Sequence, residues 1–248
     1  AAPAGADTAI LSCGTWTILG AENDRPMING FGFQHNIANE GSLPGHHRIC
    51  YNVMGLWILQ QLKAGLALAG QEYTYAGIQE AALDSEPFGA FINPDDPVFY
   101  PPGGMARTIR ENTLGGAGAR DDLEPAGLFR CVYESLAFQY RWALSKLEIL
   151  LGRKFSAVSL IGGGARDRVL CQFTANALGL PVHAGPVEAS SAGNILVQML
   201  ADGAIANIAQ GRDIIRESFD LSTYLPRNEA TWETQYHRFL ALAHPEDK

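Results

Sequence analysis

At 248 residues, 47% of them hydrophobic, the chain has enough apolar material for one large α/β domain or two smaller ones sharing a cleft. Its net charge of -8, with no run of Lys or Arg, excludes the electrostatic footprint of a nucleic-acid or anionic-membrane surface, and no apolar stretch reaches transmembrane length. The N-terminal "AAPAGADTAIL" has neither the basic start nor the apolar run of a secretory leader, so a cytoplasmic protein acting on small molecules is expected.

The first elements are two β-rich runs, Thr8 to Cys13 and Thr15 to Gly20, separated by Gly14, which predicts two strands and a tight reversal. Beyond a polar, glycine-containing stretch, Ile49, Val53, Leu56, Trp57, Gln60 and Leu62 recur at three- and four-residue spacings. That pattern predicts one long helix over 48–68, with Gly55 and Gly65 letting another element pack close. A shorter helix is expected over 74–83. "FINPDDPVFYPPGG" carries four prolines and reads as loop, with Asp95 and Asp96 serving the turn rather than a metal. The strongest helical signal runs from Asp122 to Leu151, where Leu128, Val132, Leu136, Tyr140, Leu144 and Leu147 share a face and Gly152 stands at the left-handed cap position.

Strand and helix then alternate. "AVSLI" is followed by "ARDRVLCQFTANAL" closed by Gly179, then "PVHAG", then "SSAGNILVQMLADG" closed by Gly203, a β-α-β pattern that belongs to an α/β domain. Two amphipathic helices are expected near 213–218 and 229–242. The four cysteines, Cys13, Cys50, Cys131 and Cys171, form no CxxC pair and read as reduced thiols in half-buried positions. His46 and His47 are adjacent and cannot share a helix face, so no metal site is expected. Trp16 and Trp57 read as core.

Gly162, Gly163 and Gly164 fall at a strand-to-helix turn, where backbone N–H groups point outward with partial positive charge. Such a turn either holds a phosphate or lets a flat ring lie against the backbone, or it is simply tight. The run is neither GxGxxG nor GxxxxGK[ST], so it is not a dinucleotide fingerprint or a P-loop.

"SCGTWTILG", "NEGSLPGHHRICYNVMGLWILQQ", "FINPDDPVFYPPGGM" and "IGGGARDRVLCQFTANALGLPVHAGPVEASSAGNILVQ" together resemble the C-terminal domain of FGGY-family carbohydrate kinases, from about Ile10 to about Tyr224. The resemblance implies an actin-like, ribonuclease H-like α/β domain spanning 1–248, a mixed sheet flanked by helices. It would be the nucleotide-binding half, closing over ATP and Mg²⁺ against an N-terminal sugar-binding domain that these residues do not include. On the same basis Thr15 lies near the nucleotide phosphates, Gln60, Gly163 and Gly164 contact the nucleotide, and Asn52 reaches toward the sugar. A spacing of eight puts Asn52 and Gln60 on one face of the predicted helix. Asp167 stands where an amide is usual in the family; it can accept from a ribose hydroxyl but cannot donate.

In the family the general base is an aspartate of a "HDTASA"-like stretch some two dozen residues before the threonine matched by Thr15. Only fourteen residues precede Thr15 here, so that base is expected upstream of Ala1 and this chain alone is expected to be inactive. Asp7, in "ADTA", lies eight residues before Thr15 at the start of the first strand and is rejected as the base. "NEG" followed by "MGLW" and "FINPDD" points to members that phosphorylate L-rhamnulose at the 1-hydroxyl. L-fuculose or a pentulose is the alternative substrate, since sugar choice rests largely on the other domain, and a non-catalytic nucleotide-binding module is the alternative of a different class. The face that would meet the other half is expected to favour self-association.

Overall fold

The computed structural model describes residue 5 and residues 7–43, 45–116 and 118–247; most of "AAPAGA", read above for a leader, lies outside the described residues. In chain order the elements are β1 (Thr8–Cys13), β2 (Trp16–Asn23), α1 (Gly30–Gln34), β3 (Ala38–Gly41), β4 (His47–Met54), α2 (Trp57–Leu68), α3 (Tyr75–Asp84), α4 (Met105–Glu111) and α5 (Pro125–Leu151). There follow β5 (Ala157–Ile161), α6 (Arg168–Leu178), β6 (Val182–Ala184), α7 (Ala189–Ala201), α8 (Ile208–Ser218), β7 (Ser222–Tyr224) and α9 (Glu229–Ala243). No helix among the described residues is long and apolar enough to cross a membrane.

Among the described residues, seven strands form one mixed sheet in the order β3-β4-β2-β1-β5-β6-β7. β1 is the hinge of this order. It pairs antiparallel with β2 through Cys13↔Thr17 and parallel with β5 through Thr8↔Ala157, so the first hairpin and the later β-α-β unit are joined along a single strand. Strand alternation sends Ala9, Leu11 and Cys13 inward and leaves Ile10 and Ser12 on the other face.

One predicted element is wrong. Residues 48–68 are not one helix but β4, a break at Gly55, and α2. Ile49, Tyr51 and Val53 are β-branched or aromatic, and their spacing fits a strand as well as a helix; the ladder to β2, Ile18↔Asn52 and Trp16↔Met54, decides between them. Gly55 is where the chain turns: a Cβ there would lie 2.6 Å from Gly14 O and 2.7 Å from Thr15 O. Gly65 faces open space and lets nothing pack close. α1, β3, α4 and β7 are short elements that carry no periodic signal of their own.

α5 forms the spine of the core. Pro125 opens it, and Gly152, at φ 64°, closes it by donating its N–H to Glu148 O. The helix is sunk so deep that Tyr133, Tyr140, Phe129 and Phe138 are all completely buried. Its polar residues are spent on the chain that passes over it. Arg130 Nη1 donates to the carbonyls of Ala82, Leu83 and Ser85 at the end of α3, where a cation meets the negative end of the helix dipole. Glu134 pairs with Arg130 at 2.7 Å and accepts from Phe88 N, and Ser135 Oγ accepts from Ile92 N. Gln139 donates to Asp95 Oδ2, and Asp95 Oδ1 in turn accepts from Met54 N at the end of β4. Asp95 is thus a tie between loop, strand and helix, while Asp96 does serve the turn, accepting from Val98 N.

Candidate functional site

Three turns at one end of the sheet converge. The β1–β2 reversal presents Gly14 and Thr15, and its carbonyls accept the first free N–H groups of α2: Leu56 N donates to Gly14 O at 2.9 Å and Trp57 N to Thr15 O at 3.1 Å. The helix N-terminus is thereby docked on the hairpin without a side-chain cap. One turn into α2 stands Gln60, and Thr15 Oγ1 donates to Gln60 Oε1 at 3.4 Å. The β5–α6 turn brings the triple glycine to the same place.

The glycines divide by role. Gly162 has φ 85°, and a Cβ there would lie 2.8 Å from Cys13 O; a Cβ on Gly164 would lie 2.6 Å from Cys13 Sγ. Both are required by the close passage of β1. Gly163, between them, is exposed and meets nothing within 4 Å. It faces a cleft of about 320 Å³ whose walls include Gly14, Leu59, Gln60, Tyr75 and Gln79. Gly164 is therefore corrected as a candidate contact: its missing side chain is accounted for by Cys13, and it is buried away from the opening. The cleft is apolar along α2 and polar at its ends, which suits a flat heterocycle on the backbone of Gly163 and anionic oxygens near the Thr15 hydroxyl.

Asp167 lines the cleft but is already engaged. Its Oδ1 caps α6 by accepting from Val169 N and Leu170 N, and its Oδ2 accepts the Tyr133 hydroxyl at 2.5 Å. Burial raises its pKa, opposed by those three donors, and burial together with the Asp167 charge raises that of Tyr133, so the shared proton stays on the tyrosine. The aspartate is a capping group, and its expected role as an acceptor for a ribose hydroxyl does not fit this environment.

Asn52 is exposed on β4, opposite Ile18, and does not line the cleft. It and Gln60 lie on different elements, so the shared helix face expected for them does not exist. Trp16 is 53% exposed beside Thr15, with Tyr100 edge-on at 5.6 Å, and is not core. Trp57 is half-buried and donates Nε1–H to Phe99 O. Asp7 precedes β1 at the end away from the Gly14 turn, about 20 Å of strand from it. The four thiols are free and fully rather than half buried.

Sequence reading passed over three wall residues. Tyr75 and Gln79 stand four apart on α3, a spacing that shares a face. Arg166 lies inside the glycine motif, exposed, with no side-chain hydrogen bond or ion pair among the described residues.

Residues 9–201 match the family model described as the FGGY family of carbohydrate kinases, C-terminal domain. The chain belongs to that family. It is 38% identical over 231 residues to a rhamnulokinase of Bacteroides thetaiotaomicron, covering 93% of this chain and 47% of the relative. It is 36% identical over 242 residues to a rhamnulokinase of Pectobacterium carotovorum, covering 97% and 47%. The chain thus spans about half the length of the curated relatives it matches. Its fold is that of the xylulose kinase of Lactobacillus acidophilus, at TM-score 0.70 and 14% identity over 98% of this chain and 49% of that one. It is also that of the Plasmodium falciparum glycerol kinase solved with ADP, at TM-score 0.69 and 12% identity over 94% and 47%.

Proposed function

We propose that residues 1–248 are the nucleotide-binding half of an ATP-dependent sugar kinase whose complete form transfers the γ-phosphoryl group to the 1-hydroxyl of L-rhamnulose. The observation that carries this reading is the convergence of Gly14, Gln60 and Gly163, from three chain segments, on one cleft, with the Thr15 hydroxyl bonded to Gln60 beside it. The Thr15 hydroxyl, which donates to Gln60 Oε1 at 3.4 Å in the free chain, turns its one proton to a phosphate oxygen when the nucleotide binds, Gln60 keeps the polar edge of the cleft, and the open backbone at Gly163 takes the nucleoside. The choice of L-rhamnulose rests on the names of the relatives at 33–38% identity. On this reading Asn52 and the exposed Trp16 belong to the side that meets a sugar-binding half of the same protein, and a cytoplasmic location is part of it.

The residues present fit a nucleotide but hold no metal by themselves. Asp167, the carboxylate in the cleft wall, is fully engaged, so Mg²⁺ would enter with the phosphates, whose charge it neutralises when bound. Asp95, tied to Met54 and Gln139, is likewise engaged, in keeping with a general base supplied by a residue outside this chain.

Binding and turnover test this separately. This chain is expected to bind ADP and to release none from ATP with any sugar, with Thr15→Val and Gln60→Ala each weakening ADP about tenfold, or about 1.4 kcal/mol. Joined to a sugar-binding half, it is expected to show its highest kcat/KM with L-rhamnulose among L-rhamnulose, L-fuculose, L-ribulose and glycerol. Preference for another of these sugars discards the substrate and keeps the kinase; binding without turnover in the joined protein favours a non-catalytic module.

A further inference from the structure

Beside the nucleotide cleft lies a larger one of about 790 Å³, and the two share Gln79 and Arg166. Arg168 and Arg227 complete a set of three guanidiniums in its wall. Arg166 and Arg168 are near neighbours in sequence but Arg227 is far from both, so the linear chain does not show the three as a cluster. All three are exposed, and none makes a side-chain hydrogen bond or ion pair among the described residues. Several other arginines of the molecule are tied down: Arg48 to Glu40, Arg120 to Asp122, Arg130 to Glu134, Arg141 to Glu233 and Arg212 to Glu22.

Two further donors look into the same space without partners, the Gln79 amide and the Tyr224 hydroxyl. Glu80 is the carboxylate in the wall, one negative charge against three positive ones. In a protein of net charge -8 this is a local reversal of sign. The free N–H groups at the start of α6 do not account for it, because Val169 N and Leu170 N are taken by Asp167. The recognition group is the set of side chains.

We propose that this cleft binds a small phosphate monoester, with its dianionic head held by Arg168 and Arg227 and its approach to the nucleotide cleft read by Arg166. Guanidinium forks match phosphate oxygens in pairs, and three of them with two neutral donors suit a dianion better than a single carboxylate. The volume admits a sugar-sized body behind the head. Because Gln79 and Arg166 line both clefts, a ligand in one changes the hydrogen-bonding groups offered to the other, so phosphate ester and nucleotide are coupled. That last clause rests on the nucleotide reading above; the anion site itself does not.

The test is equilibrium dialysis of this chain with radiolabelled inorganic phosphate in chloride buffer, with and without saturating ADP. Saturable binding at one site is expected, weakened at least tenfold in the Arg168→Gln/Arg227→Gln variant while its circular dichroism and its ADP affinity stay within twofold of the parent. ADP is expected to shift the phosphate Kd without abolishing binding. Equal phosphate affinity in parent and variant would overturn the proposal, as would absence of saturable binding in the parent. So would loss of phosphate binding in Gln60→Ala, since the anion would then sit in the nucleotide cleft. Arginine-dependent phosphate binding in a chain that binds no ADP upholds the anion site and overturns the nucleotide reading instead.

Discussion

The Tyr133 hydroxyl donates to Asp167 Oδ2 at 2.5 Å, fastening the middle of α5 to the first turn of α6. The site therefore hangs from the core: the helix that follows the glycine turn is held by a side chain of the buried spine. Tyr133→Phe removes one of three donors from a buried carboxylate and is expected to cost about 1–3 kcal/mol, read as a lower urea midpoint. An unchanged midpoint would show that the bond is not a structural tie.

The glycine run separates stability from binding. Gly164→Ala places a methyl group against Cys13 Sγ and Cβ and is expected to cost about 1–3 kcal/mol in urea unfolding, since both strand and turn must shift. Gly163→Ala meets open space and is expected to stay within about 0.5 kcal/mol of the parent while weakening ADP by calorimetry. If Gly163→Ala binds ADP normally, the nucleotide does not lie on that backbone.

His244 links stability to pH. It stacks on Trp142 at 4.0 Å, and its Nε2–H donates to Gln139 Oε1 at 2.8 Å, at the end of the chain of bonds that runs through Asp95 to Met54. Burial lowers its pKa below the ordinary 6.5, partly offset by Glu246 and Asp247. The unfolded chain then takes up the proton first as pH falls. The stability it contributes is complete above 6.5 and is lost as pH drops through the lower folded value. Urea midpoints are expected to fall from pH 7.5 to pH 5.5, and the slope to flatten in His244→Gln; an identical slope in that variant would assign the pH dependence elsewhere.

The thiols give a readout of native packing. Burial pushes the Cys50 thiol up to about 11 and Cys131 up to about 12, and raises Cys13 and Cys171 as well. At pH 8 the native chain is expected to react with a disulfide reagent negligibly, and all four cysteines within minutes once unfolded in urea. A fast-reacting thiol in the native chain would contradict the packing around β1 and α5.

What was legible in the sequence follows from how each signal arises. α5 was readable because its apolar face repeats over seven turns and ends at Gly152; the β-α-β unit was readable because glycines punctuate it. β4 was not, because Ile49 and Val53 satisfy two periods at once and only pairing with β2 chooses between them. At the site, the hairpin threonine and the glycine turn stood out as motifs. Arg166, Arg168 and Arg227 did not, because the third lies in the segment after β7, which the fold and not the chain order brings beside α6. Trp16 misled for a related reason: an aromatic in an apolar run reads as core, yet strand alternation turns it outward.

β1 is both the first strand of the chain and the fourth of seven across the sheet, and its parallel partner begins 149 residues later, as Thr8↔Ala157 shows. At roughly 5–20 residues per second, a ribosome needs about 7–30 s to deliver that partner. Throughout that interval one edge of the central strand is an open ladder on a nascent chain. Synthesis of this protein thus has a built-in waiting period, in which that strand edge must be kept from pairing with other chains.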